Sequence, residues 1–174
     1  TDLILATLLG ARMVTIFNFA QHLQQLPVGL FGATIAQAAL PTLSEIKAKK
    51  DPEEFKAIFL ASFHQILFLV MPLSVLLIVL RIPMVRLVFG AAKFDWQATV
   101  LTGQTLAFFS VSLFAQALIQ LLARGFYALY DSKTPVVIGV FSVLINTGLS
   151  IFFITFLKMP VWGLAVSTSV ASLF

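Results

Sequence analysis

Three apolar runs, at 57–80, 98–123 and 136–157, set the rhythm of this chain, and short polar or charged stretches separate them. Each run is long enough to cross a bilayer as a helix, for which about 20 residues suffice. Residues 13–46 form a longer apolar segment with Pro27 and Gly29 near its middle. It reads as one helix, kinked or locally unwound at Pro27-Val28-Gly29. Residues 1–9 and 161–174 read as parts of two further helices, with Gly10 breaking the first. The pattern predicts helices over 1–9, 11–47, 53–81, 96–124, 133–157 and 161–174, in a single transmembrane lobe spanning 1–174. Asp51-Pro52 suits a helix start, with Asp51 as N-cap and Pro52 in the first helical position. Residues 81–93, RIPMVRLVFGAAK, mix basic and large apolar side chains and suit an amphipathic interfacial turn. Asp95 is a plausible N-cap for the next helix, and Trp96 fits an interfacial aromatic.

Composition narrows the class. Of 174 residues, 60% are hydrophobic and 10% are charged, against roughly 25% charged in an ordinary soluble domain. The fold expected is all-α: a polytopic transmembrane helical bundle. The absence of cysteine excludes disulfides and thiolate metal sites. A net charge of +4, without basic clusters on a polar face, fits a membrane environment and not nucleic-acid binding. The strongly charged loop is 44–56, SEIKAKKDPEEFK. Placing 44–56 and 124–135 inside gives six Lys/Arg inside and five outside, a bias too small to set the orientation by itself. Both ends of the chain fall within apolar runs and there is no initiator Met, so the chain is expected to be an internal piece of a longer, transporter-sized protein.

The polar side chains within the spans carry the functional signal. At 100° per residue Thr15, Asn18, Gln21, His22 and Gln25 share one face, and Gln24 points elsewhere. Ser112, Gln116, Gln120 and Arg124 recur at every fourth position, as do Ser142, Asn146 and Ser150. Polar groups in hydrocarbon need partners or water. Each stripe therefore either faces a hydrated cavity or glues two helices together. For 142/146/150 glue is the better reading, and for 112/116/120/124 the two readings balance. For Asn18, Gln21, His22 and Gln25 a cavity is favoured, since glue seldom needs so many amides and an imidazole within two turns. Small residues from Gly29 to Ala39 continue that helix as a close-packing face. No nucleophile elbow, P-loop, HExxH or paired carboxylate lies in an apolar span, so no enzyme chemistry, cofactor or metal is expected.

Three segments resemble one family. Residues 26–44, LPVGLFGATIAQAALPTLS, resemble the LPLGLFG…A…LP.LS segment of the MurJ (MviN) family of lipid II flippases. Residues 123–136, ARGFYALYDSKTPV, and 85–102, VRLVFGAAKFDWQATVLT, are similar to two further segments of that family, in the same order and separation. The resemblance implies a V-shaped exporter fold of two six-helix lobes, of which this chain would be most of the second, with its partner lobe elsewhere in the same polypeptide. It implies transbilayer movement of an undecaprenyl-pyrophosphate-linked glycan lipid across the bacterial cytoplasmic membrane by alternating access, among membrane lipids and without nucleic acid. It places 44–56 and 124–135 in the cytoplasm. Asn18, Gln21, His22, Gln25, Gln116 and Gln120 would then be cavity residues, and Arg124, Asp131 and Lys133 would shape the cytoplasmic end. Asp131 with Thr134-Pro135 equally suits a helix-start turn. Many members carry arginine where His22 stands, so a permanent cation is missing at a position expected to face the pyrophosphate. The rival readings are an exporter of another polyprenyl-linked glycan or of drugs on the same fold, and a non-transporting membrane scaffold.

Overall fold

Gly10 opens the first long helix with a φ of 108°, a conformation that favours glycine. The computed structural model describes residues 6–7, 10–49, 51–89, 95–155 and 160–173. The expected helix over 1–9 therefore lies mostly outside the described residues. Helix α1 (Ala11–Pro27) runs without a gap into a π-helical stretch, Val28–Ala33, and then into α2 (Thr34–Lys49). The irregularity expected at Pro27 is thus a widened turn, not an unwound one. Proline has no N–H to donate and its ring crowds the carbonyl four residues back. The wider turn that follows takes up this misfit, and such bulges often sit at functional sites. The Thr34 hydroxyl lies 3.0 Å from the Gly29 carbonyl and 2.6 Å from that of Leu30, so it satisfies backbone loosened by the bulge.

Helix α3 (Pro52–Val79) starts as its sequence predicts, with Asp51 Oδ1 accepting from the amides of Glu53 and Glu54 at 3.1 and 3.0 Å. Pro72 lies inside α3 without ending it. The amphipathic segment after it is a short helix, α4 (Arg81–Phe89). Where the apolar pattern suggests one helix over 96–124, the structure has two, α5 (Trp96–Val111) and α6 (Leu113–Ala128), bent by 46° at Ser112. Helices α7 (Lys133–Thr155) and α8 (Trp162–Leu173) complete the described chain. Among the described residues Ala11–Lys49, Pro52–Val79 and Lys133–Thr155 are long and apolar enough to span, and the bent pair α5–α6 makes a fourth. The chain is a multi-pass membrane bundle.

The bend at Ser112 loosens backbone carbonyls in an apolar interior, where each needs a partner. Three serines supply them, one at the bend itself and two from other helices. Ser169 of α8 donates to the Phe108 carbonyl at 2.8 Å, Ser112 Oγ lies 3.1 Å from that of Phe109, and Ser74 of α3 donates to that of Ser110. Sequence periodicity cannot see this break, because Val111-Ser112-Leu113 is apolar enough to continue a helix.

Two cores result, one on each side of the breaks. Ile16, Phe17, Ala20 and Leu23 of α1 pack with Val85, Leu106, Phe109 and Leu164 from α4, α5 and α8. Ala36, Ala39 and Leu43 of α2 pack with Ile66, Val70, Leu113, Ala117 and Leu121 from α3 and α6. The π-helical turn packs tightly on the second core: a Cβ on Gly32 would lie 2.8 Å from Ala117 Cα. Only glycine lets the π-helical turn approach α6 so closely.

Candidate functional site

The polar face of α1 has two characters. Asn18 and Gln21 are half-buried, whereas His22 and Gln25, a turn nearer the bulge, are exposed. His22 and Gln25 open on a groove of about 440 Å³ between α1 and α4. Phe19, Leu23 and Leu26 line it from α1, with Val88 and Phe89 opposite, and Phe19 stacks on Phe89 with ring centres 4.1 Å apart. The groove is an apolar channel with an amide and an imidazole on one lip. That suits an amphiphile with a polar head better than a small hydrophilic solute. Gln24 turns inward instead and is 2% exposed, and its Nε2 has no hydrogen-bond partner among the protein atoms. Sequence reasoning set Gln24 aside from the polar face, and nothing in a helical wheel marks it as a buried amide.

The other stripes separate by contact. Ser112 is buried and Gln116 Nε2 donates to its Oγ at 3.2 Å, so the start of the 112/116/120/124 stripe braces the bend. Gln120 is half-buried farther along α6, and neither amide lines the groove beside His22. Arg124 lies over the Tyr127 ring, 6.0 Å from its centre. The stripe 142/146/150 is glue: Ser142 donates to the Ala171 carbonyl at 3.0 Å, Asn146 Nδ2 to Thr168 Oγ1 at 3.4 Å, and Ser150 shares a hydrogen bond with Ser167. Asp131 caps α7. Its Oδ1 accepts from the amides of Lys133 and Thr134, and its Oδ2 from the Thr134 hydroxyl at 2.6 Å. The Thr134 hydroxyl, then the Thr134 amide, hold this carboxyl below its ordinary range.

The sequence model of the family described as "Lipid II flippase MurJ" matches residues 1–174. The chain belongs to the lipid II flippase MurJ family. A MurJ of Burkholderia cenocepacia, named lipid II flippase, is 33% identical over 146 residues, which are 84% of this chain and 28% of that protein. A probable lipid II flippase MurJ of Haemophilus influenzae is 28% identical over 98% of this chain and 34% of its own length. A solved structure described as "Lipid II flippase MurJ, inward closed conformation" superposes with a TM-score of 0.83 at 25% identity, over 92% of this chain and 33% of that one. The chain thus spans about a third of the MurJ proteins it matches, with a lobe of their fold. The bundle described above is a partial lobe of that fold.

Proposed function

We propose that this lobe, with the remainder of its polypeptide, flips a polyprenyl-pyrophosphate-linked glycan, the peptidoglycan precursor lipid II, across the bacterial cytoplasmic membrane. The observation that carries the reading is the groove beside His22 and Gln25, a polar lip on an apolar channel in a MurJ-family bundle. The prenyl chain suits Phe19, Leu26, Val88 and Phe89. The pyrophosphate suits the His22 imidazole with the Gln25 amide, while Asn18 and Gln21 continue the polar face deeper along α1. Gln116 and Gln120 border the path on α6. Arg124 and Lys133 supply cations at its other end, where Asp131 fixes the start of α7. Movement is a rocking of this lobe against the rest of the chain, driven by a difference in substrate affinity between the two states.

The full-length gene is tested in cells depleted of their own flippase. Wild type is expected to restore growth, His22→Ala to rescue poorly, and His22→Asp, which sets a like charge against the pyrophosphate, to fail at equal membrane expression. Rescue by all three to the same extent would remove His22 from the path. No rescue by well-expressed wild type would overturn the proposed activity.

A further inference from the structure

A second groove lies apart from the His22 face and shares no residue with it. It has a volume of about 340 Å³ and is lined by Arg81, Gln104, Ala107, Phe108 and Trp162. Arg81 stands just past the end of α3 that lies away from the 44–56 loop, and residues of mid-α5 and the start of α8 lie beside it. Exposed Trp96 marks the same end, with the Arg86 guanidinium 4.7 Å from its ring centre, as befits interfacial depth.

The site is built around Arg81. Its Nη1 donates to the Ile78 carbonyl at 3.1 Å, closing the end of α3. This leaves other guanidinium N–H groups to face the groove, and among the described residues no carboxylate lies within ion-pair distance of them. Buried Gly103 lets α5 approach the start of α4 closely: a Cβ there would clash with Ile82 Cδ1 at 2.8 Å, and the Arg81 stem lies alongside, its Cγ at 3.6 Å. Beside the cation, Phe108 and Trp162 stack with ring centres 5.1 Å apart and planes 21° apart, and the Gln104 side chain is exposed at the rim.

We infer that this groove holds the headgroup of an anionic bilayer phospholipid of the phosphatidylglycerol class. A fixed cation at interfacial depth attracts the phosphodiester. The Gln104 amide can hydrogen-bond the headgroup, and the Phe108–Trp162 face supports the glycerol and first methylenes. A free anion would gain nothing from that aromatic wall; a lipid uses both parts. The inference is independent of the transported substrate.

Native mass spectrometry of the full-length protein with added phosphatidylglycerol tests it. Arg81→Gln is expected to weaken the tightest lipid adduct about fivefold, the effect of one cation at a membrane surface. Because Arg81 also closes α3, the rim gives a second reading: Gln104→Glu should weaken the adduct and Gln104→Lys should tighten it. Lys47→Gln, the same loss of charge at the opposite end, should leave it unchanged. Phosphatidylcholine with the same acyl chains should bind less tightly to wild type. Equal lipid affinity across wild type, Arg81→Gln and both Gln104 variants would overturn the site. Displacement of the lipid by millimolar inorganic phosphate would assign the groove to a free anion instead.

Discussion

Asp131 shows how one residue's two readings separate. Both carboxylate oxygens are engaged by the first turn of α7, so its work in this structure is to start a helix. Its pKa is depressed when folded, first by the Thr134 hydroxyl. The stabilisation is therefore present above the unfolded carboxylate pKa and is lost as pH falls through the lower folded value. Melting of the full-length protein in detergent should show Asp131→Asn less stable than wild type at neutral pH, with the gap closing below the ordinary carboxylate range. A gap unchanged in acid would mean that the carboxylate form is not what stabilises the turn. The residue scale also marks what a sequence hides. His22, Gln24 and Gln25 are polar neighbours, yet two are open and Gln24 is buried. Which side of a helix a neighbour covers is decided by tertiary packing, here by the core around Leu23 and Phe109.

At the scale of elements, the apolar runs were readable because each span must be apolar along its length. Asp51-Pro52 was readable because capping is local chemistry. The break at Ser112 was not, since the groups that make it tolerable, Ser74 and Ser169, lie 38 residues before it and 57 after. Nor was the far wall of the His22 groove, because Val88 and Phe89 belong to a segment whose docking on α1 has no local signature. The serine braces make a definite expectation. Ser169→Ala leaves the Phe108 carbonyl without its donor and should cost about 1–3 kcal/mol, the penalty for an unsatisfied buried acceptor. Thermal melting of the full-length protein in detergent measures it. A loss well below that range would show that the bend satisfies itself.

For the whole molecule the arrangement is two small cores with two helix irregularities along the chain between them, the π-helical turn and the Ser112 bend, and Gly32 of the turn packs on Ala117 of the second core. Gly32→Val would wedge this contact open. It should destabilise the protein by about 1–3 kcal/mol, as overpacking does, and reduce rescue of flippase-depleted cells further than Ser169→Ala does at matched expression. Rescue at the level of wild type would mean that this contact does not matter to the working cycle. The family motifs, in their order, gave the lobe and its class. They could not place this contact, because Gly32 looks the same in sequence whether it faces lipid or another helix.

The ladder between α7 and α8 bears on how the chain is made. Helix α7 is largely exposed, with Ser150 its one fully buried residue, and Ser142, Asn146 and Ser150 all bond to α8. During synthesis α7 leaves the ribosome first. It is apolar enough to enter the bilayer alone, but its amide and hydroxyls then lie in lipid with few external partners until α8 arrives. The favourable course is for the two to leave the translocon together as a hairpin. The first bonds formed are then between helices only six residues apart in sequence, and the rest of the bundle closes on a pair already made.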